Sequence, residues 1–215
     1  GASTLKEVAI TGDKIVKVQN AGINTALLSI AAGSTLEYTP TANVSFNNVT
    51  FADAVSTLKL EANAAARTFT MNAHINPGGN GQGIVELASN GNSATLDGNG
   101  GVKTLGTGGN NIAVLNVTGA NTGIITGNVD LTNVNELNIK NGASLQSKTN
   151  TTAAIAAINI GEVGGKGTLE IDANAGNYDL LNGKLITLTH ADSLLKLTNI
   201  AAANRVVTLH ANVVP

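Results

Sequence analysis

The 215-residue sequence contains no cysteine and no tryptophan, and aromatic residues make up only 2% of it. Without cysteine the chain has neither a disulfide framework nor a thiol nucleophile. Charged residues reach 12%, which is about half of their usual share in soluble domains, and the formal net charge is −2. Because a basic surplus and stacking aromatic side chains are both missing, the composition argues against nucleic-acid binding.

Long apolar runs are also missing. The longest candidate, residues 151–160, is interrupted by threonine and asparagine and falls short of the roughly 20 residues that a membrane-spanning helix needs. Proline occurs only 3 times, and the 25 glycines keep no three-residue period, which excludes collagen. Charge is too scarce, and valine, isoleucine and leucine too frequent, for a disordered chain. Composition therefore indicates a weakly charged β-rich chain without identifying its function.

The chain begins with Gly1 and lacks the basic and apolar regions of a signal peptide. We interpret it as a piece of a longer protein, the alternative being an intact chain whose initiator methionine has been replaced. Its length fits one domain or one repetitive stack, and we predict a single unit over residues 1–215.

Short apolar segments alternate with polar residues at period two along the whole chain. In each of them the outer apolar side chains share one face, and the middle side chain points to the other face. They start roughly 8 to 12 residues apart with glycine and asparagine between them, which is typical of all-β proteins. No segment has a helical stripe, although 62–66 and 153–157 could each form one helical turn. The clearest segments are 8–10, 15–18, 58–60, 69–71, 129–131, 137–139, 169–171, 185–188, 195–197 and 207–209.

Internal similarity favours a stacked architecture. Residues 56–71 resemble 193–209, and residues 28–36 resemble 137–145, which indicates degenerate repeats of two or three strands each. We predict an all-β, right-handed parallel β-helix of about nine or ten coils, each of ~20 to 25 residues. Its interior is expected to be too narrow for large rings, with asparagine and threonine bonded from coil to coil at the turns. A β-sandwich is the alternative that the same strand spacing permits.

The middle third of the chain carries a family resemblance. The succession of Gly81–Leu87, Ala94–Gly101, Lys103–Thr107, Leu115–Ala120 and Thr126–Val129 resembles the passenger repeats of rickettsial surface-cell-antigen autotransporters, of the outer membrane protein A and B type. The similarity in style extends over most of the chain, and this stretch contains its specific part.

The resemblance implies a virulence-associated passenger domain that is exported through the periplasm and outer membrane and displayed at the bacterial cell surface. There it would act as an adhesin in host-cell attachment and invasion. The implied partners are an unidentified host cell-surface protein and neighbouring copies in a surface layer, with no nucleic acid and no direct membrane insertion by this segment. The chain ends at Val213–Pro215 without the long strands and aromatic girdles of a translocator barrel, so we expect anchoring to lie outside it.

Three features bear on metal binding. Gly78–Gly83 is similar to the start of a calcium-binding nonapeptide repeat, but Gly83 stands where the ligand aspartate belongs. Asp97–Gly101 is similar to the start of an EF-hand loop but lacks the third oxygen ligand and the downstream glutamate. We interpret both as turns. The three histidines are far apart in sequence, and we predict no metal and no cofactor; they are His74, His190 and His210.

Phosphate-binding and nucleophile motifs are incomplete. Gly164–Thr168 is similar to a P-loop, but Ile160 stands in place of the first glycine and Gly167 in place of the hydroxyl residue. The chain has no Gly-x-Ser-x-Gly elbow. Neither motif supports an enzymatic site.

Glycan cleavage, which other β-helices perform, requires two carboxylates at a matched separation. The candidate pairs are Asp172 with Asp179 and Asp130 with Glu136, yet aromatic platforms for sugars are scarce. We therefore predict a chain that is not an enzyme and has no catalytic residues.

A binding role requires only a long displayed face, and the sequence does not identify which face binds. The middle positions of four triplets are expected to be solvent-exposed. A structural stalk or spacer without a ligand is the first alternative to an adhesin, and a carbohydrate-active enzyme is the second. The four middle positions are Lys59, Glu170, Lys196 and Thr208.

Overall fold

The computed structural model describes residues 5–19, 23, 25–107, 109–172, 178–180, 185–198, 207–209 and 212–214. Strands make up 56% of the chain, and they stack as a parallel β-solenoid. Every pairing between two named strands is parallel, as in β1 with β3 (Leu5–Ile10 with Thr25–Ile30). The prediction of an all-β parallel β-helix is confirmed, and the β-sandwich alternative is wrong.

A regular turn of the solenoid contributes one strand to each of three faces, A, B and C, although not every turn has a strand on face A. The strands are numbered in chain order. Face A contains, besides β1 and β3, β6 Asn48–Phe51, β11 Lys103–Thr104, β14 Val129–Asp130, β19 Tyr178–Leu180 and β22 Val207–Leu209. Face B is one nine-stranded sheet of β2 Ile15–Val18, β4 Thr35–Tyr38, β7 Thr57–Glu61, β9 Gln82–Ala88, β12 Ile112–Thr118, β15 Val134–Ile139, β17 Ala157–Ile160, β20 Leu185–Leu188 and β23 Asn212–Val214. Face C is a seven-stranded sheet of β5 Val44–Phe46, β8 Arg67–Met71, β10 Ala94–Gly98, β13 Thr122–Ile125, β16 Ser144–Ser147, β18 Thr168–Asp172 and β21 Leu194–Thr198.

Face B contains nine strands, one from each turn that crosses it, and face C contains seven. About seven turns are therefore complete, and the predicted nine or ten coils agree with the strand count of face B. Turn length varies more than the sequence spacing indicated. Ile15 pairs with Thr35 one turn later, whereas the turn that leads from Gln82 to its partner Ile112 is half as long again. The longer turns accommodate extended corner loops, which use residues without adding strands.

Face A is the least regular of the three faces. Between β6 and β11 it continues only through isolated bridges from Ile75 to Val49 and to Leu105. Further along the chain a short 3-10 helix, Asn150–Ala154, follows β16, and Thr151 Oγ1 accepts a hydrogen bond from Leu131 N across 2.8 Å. Faces B and C, by contrast, are each a single continuous sheet.

The two predicted helical turns have different outcomes. Residues 62–66 form an irregular turn rather than a helix, whereas 153–157 overlaps the end of the 3-10 helix and the beginning of β17. The helix is capped by Thr149, whose side chain accepts a hydrogen bond from Thr151 N. Within the described residues, no helix is long and apolar enough to cross a membrane.

Aliphatic side chains at equivalent positions form continuous columns inside the solenoid. On face B the register aligns buried residues from six successive turns. Parallel strands lie ~4.8 Å apart, so each side chain packs on the next, and each buried aliphatic side chain contributes about 1.5–3 kcal/mol. The aligned residues are Leu36, Leu58, Val85, Leu115, Leu137 and Ile158.

The interior also holds large rings, contrary to the sequence-based expectation. Tyr38, Phe46, Phe51 and Phe69 are all buried. A glycine makes the room for one of them: Gly83 has φ +84°, and a Cβ at this position would overlap the ring of Phe51. Ring size is therefore compensated by a missing side chain on a neighbouring turn.

Candidate interaction surface

Face B presents an outward column of polar side chains, which we call the central column. Alternation within each strand turns these side chains away from the interior, although Asn116 is only 8% exposed, and the parallel register places them one above another. The first members are charged with alternating sign, and the later ones are asparagines. The column consists of Lys17, Glu37, Lys59, Glu86, Asn116, Asn138 and Asn159.

Ion pairs join the charged half of the central column. Lys17 Nζ lies 3.0 Å from Glu37 Oε1, and Lys59 Nζ lies 3.8 Å from both Glu37 Oε2 and Glu61 Oε1. Among these groups only Lys17 is largely exposed, and an exposed pair such as Lys17 with Glu37 contributes about 0–1 kcal/mol. The main consequence of these ion pairs is that opposite charges neutralise one another in this half of the central column.

Glu61, at the edge of face B, is a carboxylate with only 7% of its surface exposed. It accepts hydrogen bonds from Thr39 Oγ1 across 2.9 Å and from Asn90 Nδ2. Burial by itself raises the pKa of this carboxyl, but the hydrogen bonds from Asn90 and Thr39 and the charge of Lys59 outweigh burial and lower the pKa. Glu61 is therefore held ionised as part of the stack.

The second half of the central column is an asparagine ladder. Asn138 Nδ2 donates to Asn116 Oδ1 across 3.3 Å, and Asn159 Nδ2 donates to Asn138 Oδ1 across 2.8 Å and to Glu136 Oε1 across 3.0 Å. Amide ladders of this kind bond each turn to the next. The expected coil-to-coil bonding of asparagines is confirmed, although here it occurs in the middle of a strand as well as at turns.

The sequence contains a signal for this ladder that our sequence reasoning missed. Three triplets have asparagine between two aliphatic residues and recur at nearly equal intervals along the chain: Leu115–Val117, Leu137–Ile139 and Ile158–Ile160. The regular spacing of their central residues would have placed them on adjacent turns.

Face C carries a shorter ladder centred on Glu170. Its carboxylate lies 3.0 Å from Lys196 Nζ and accepts hydrogen bonds from Gln146 Nε2 at 3.2 Å and Thr198 Oγ1 at 3.0 Å. The hydrogen bond from Lys196 is the main reason why the pKa of Glu170 is lowered, and burial opposes it.

The four triplet positions that were expected to be solvent-exposed differ in how much of each side chain the structure exposes. Lys196 is half-exposed at 50%, but the side chains of Lys59 and Glu170 are each only 22% exposed, because their ladder partners cover them. The expectation of exposure is therefore wrong for these two, which are half-buried. Thr208 lies in β22, and its side chain is outside the described residues.

The predicted histidines are not brought together. His74 Nδ1 lies 3.0 Å from Thr104 Oγ1 and accepts a hydrogen bond from Thr104 N, and His190 Nδ1 accepts one from Asp192 N at 3.1 Å. His210 lies outside the described residues. In the part of the chain that the structure describes, no three His, Asp or Glu side chains are grouped as a metal site would require.

The two motifs similar to calcium loops occur at strand ends. Gly78–Gly83 leads into β9, and Asp97 lies near the end of β10. The Asp97 carboxylate accepts hydrogen bonds from Thr126 Oγ1 and from Asn128 Nδ2, both on the next turn. Asp97 thus belongs to the bonding between turns.

The candidate carboxylates are engaged locally. Asp130 accepts hydrogen bonds from the N and Oγ1 of Thr132, at 2.8 and 2.5 Å, and Glu136 accepts one from Asn159. Asp172 is buried, and the side chain of Asp179 is outside the described residues.

The motif similar to a P-loop connects strand β17 to strand β18. A P-loop instead leads from a strand into a helix, whose N-terminus helps to bind the phosphates. Gly164–Thr168 therefore forms a corner of the solenoid.

Comparison with known proteins adds nothing to this geometry. No protein family matches the chain, and neither curated proteins nor solved structures give a match. Any functional argument therefore depends on the fold and on the chemistry of its faces.

The lowered carboxyl pKa values predict acid sensitivity. A group whose pKa is lower in the folded state stabilises the fold above its unfolded pKa, and this stabilisation is lost as pH falls through the folded pKa. For Glu61 and Glu170 the loss therefore begins below the ordinary glutamate value of 4.5. We expect the urea midpoint of unfolding to be constant from neutral pH to that value and to decrease below it.

The variants Glu61→Gln and Glu170→Gln provide the control for this pH dependence. Each should unfold at lower urea concentration at neutral pH and should lose less stability on acidification than the wild type. A wild-type midpoint that stays level well below pH 4.5 would show that these carboxylates do not stabilise the folded state as described.

Proposed function

We propose that this chain is a surface-displayed β-helical passenger segment that acts as an adhesin in host-cell attachment and invasion, with face B as its contact surface. The observation that carries the proposal is the central column, a continuous polar stripe along face B, whose nine strands form one sheet. The resemblance of the middle repeats to rickettsial autotransporter passengers supports the exported location. The same proposal includes that the chain belongs to a longer protein, an outer-membrane autotransporter.

The size of face B suits a protein partner. Nine strands spaced ~4.8 Å apart extend for about 40 Å, and strands of about five residues are ~17 Å wide. The resulting face of about 650 Å² is close to the ~800 Å² per partner of a standard interface. Amide side chains with few net charges supply both donors and acceptors for contacts that depend mainly on shape.

Two clefts in the described structure lack the groups that glycan hydrolysis requires. One of about 330 Å³ is lined mostly by small or apolar residues such as Ala9, Ala31 and Ala52, and another of about 290 Å³ lies beside Thr39 and Arg67. No aspartate or glutamate lines either cleft. Glycan hydrolysis needs a carboxylate pair, so neither cleft has the groups for that reaction.

A structural stalk is the second candidate, and a specific observation favours it. The amides of the asparagine ladder already bond to one another: Asn138, for example, donates to Asn116 and accepts from Asn159. Amide groups that hydrogen-bond to one another within the stack stabilise the rod and need no ligand to do so. The two functions differ in whether face B contacts a receptor.

An adhesion assay with matched variants tests the proposal. Beads coated with the 215-residue chain are added to cultured mammalian cells, and the Asn138→Arg variant is compared with Gln146→Arg. Both residues are half-buried, outward-facing amides in hydrogen-bonded ladders, but Asn138 is on face B and Gln146 on face C. We expect Asn138→Arg to reduce bead binding about tenfold and Gln146→Arg to leave it near the wild-type level.

Thermal unfolding of both variants provides the control for stability. If wild-type beads bind no better than uncoated ones, the chain is a spacer and the adhesin proposal fails. If the two variants lose binding equally while remaining folded, face B is not the contact surface.

A further inference from the structure

Five asparagines in this chain are followed by glycine, at Asn80–Gly81, Asn90–Gly91, Asn99–Gly100, Asn141–Gly142 and Asn182–Gly183. Asparagine is a chemically labile residue. When the backbone nitrogen of the next residue reaches the side-chain carbonyl carbon, a ring can close, and glycine hinders this approach least because it has no Cβ. Asn182–Gly183 lies outside the described residues, and the structure distinguishes among the other four.

In three of these four pairs the glycine nitrogen is already engaged. Gly81 N donates to Asn111 O at 2.8 Å, Gly91 N to Ala62 O at 3.2 Å, and Gly142 N to Lys166 O at 2.7 Å. Each bond joins one turn of the solenoid to a neighbouring turn. The nitrogen can attack only after that contact opens, which costs free energy at a site where the stack is intact.

Asn99–Gly100 is different. Within the described part of the chain, Gly100 N makes no hydrogen bond, and both residues are exposed. Gly100 has φ +66°, and a Cβ added to it would meet no atom within 4 Å, so the turn has open space around it. Asn99 itself is held by its backbone, because Asn99 N donates to Met71 O at 2.9 Å.

Side-chain contacts do not account for this difference between the pairs. Asn99 Nδ2 donates to Asn72 Oδ1 at 3.0 Å in an exposed position. The Asn90 amide is similarly engaged with Glu61, and Asn80 Oδ1 accepts from Asn111 N. All of these asparagines are exposed, so the free glycine nitrogen is the feature that singles out Asn99.

We infer that Asn99 is a spontaneous deamidation site of the folded protein. Gly100 N attacks Asn99 Cγ and forms a new C–N bond, the bond from Cγ to Nδ2 breaks, and the proton lost from Gly100 N leaves with ammonia. Water then adds to one of the two carbonyls of the resulting succinimide. Ring opening gives an isoaspartyl or an aspartyl residue at position 99, with no oxidant or reductant involved.

The product would interrupt a ladder at the corner between faces C and A. Asn72 Nδ2 donates to Asn47 Oδ1 at 3.3 Å, and Asn99 Nδ2 donates to Asn72 Oδ1. An aspartyl or isoaspartyl side chain has no amide donor, so Asn72 Oδ1 loses its partner. The new negative charge also lies close in sequence to Asp97.

The test is site-resolved mass spectrometry of the folded full chain during incubation at mildly alkaline pH. We expect deamidation at Asn99 to be about tenfold faster than at Asn80, Asn90 or Asn141, since an opening cost of about 1.4 kcal/mol slows a reaction tenfold. In concentrated urea the four rates should converge, because the contacts of the other three glycine nitrogens are then lost. A folded-state rate at Asn99 no greater than those at the other three sites would overturn the inference.

The variant Asn99→Gln checks the site assignment. Glutamine retains an amide at this position but requires a larger ring to react, so the mass increase assigned to position 99 should disappear. If the same peptide still gains mass at the wild-type rate, the reaction occurs at another residue and the assignment to Asn99 is wrong.

Discussion

Replacing Leu137 by aspartate is expected to abolish the folded solenoid. Leu137 has no exposed surface, and the register places it between Leu115 and Ile158 inside face B. Losing such a leucine costs about 2–5 kcal/mol, and an unpaired buried carboxylate adds several kcal/mol more. The sum is comparable with the ~5–15 kcal/mol total stability of a typical domain.

Circular dichroism and limited proteolysis should show an unfolded, readily cleaved Leu137→Asp chain. Glu136→Asp is the matched control, because the same side chain is introduced one residue earlier at an outward-facing position. This control should retain the wild-type strand signal. A Leu137→Asp protein that melts at the wild-type temperature would show that the inside and outside of β15 have been assigned incorrectly.

Gly83→Ala is the second substitution with a large expected effect. The positive φ of +84° costs an alanine about 1–2 kcal/mol, and overpacking against the Phe51 ring adds about 1–3 kcal/mol. We therefore expect the free energy of unfolding, measured in urea, to fall by about 2–5 kcal/mol.

Gly142→Ala separates these two costs. Gly142 has φ +75°, but a Cβ there would meet no atom within 4 Å, so only backbone strain should appear. Adding Phe51→Leu to Gly83→Ala should restore part of the lost stability, and the two changes should be non-additive. Equal costs for Gly83→Ala and Gly142→Ala, with no rescue by Phe51→Leu, would mean that the ring does not occupy the space described.

Local alternation was sufficient to predict which side chains lie inside. Leu58 and Leu60 are buried and Lys59 faces outward, as the triplet pattern indicated. The pattern depends only on the two-residue period of a strand, which neighbouring turns do not alter. The length of each turn could not be obtained in the same way, because corner lengths differ from one turn to the next.

The internal similarities illustrate the same limit. Residues 28–36 span the corner from β3 on face A to β4 on face B, whereas 137–145 span the corner from β15 on face B to β16 on face C. The similar sequences thus encode a similar strand–turn–strand unit at different corners. For the pair 56–71 and 193–209, residues 199–206 lie outside the described residues.

The central column could be predicted only in part. The charge and polarity of its members are visible in the sequence, but their neighbours lie a full turn away along the chain, and the length of each turn is set by its corners. A single sequence does not reveal that Glu37 lies between Lys17 and Lys59. Partial burial of Lys59 and Glu170 was missed for the same reason, since it arises from neighbouring turns.

The interruptions of face A have a mechanical consequence. Faces B and C carry continuous interstrand hydrogen bonding, whereas face A depends on isolated bridges near Ile75 and on the segment Asn150–Ala154. Bending that separates the turns along face A breaks fewer backbone bonds than bending that separates them along B or C. The rod is therefore stiffer in some directions than in others, and a sideways load deflects it most readily in the plane that opens face A.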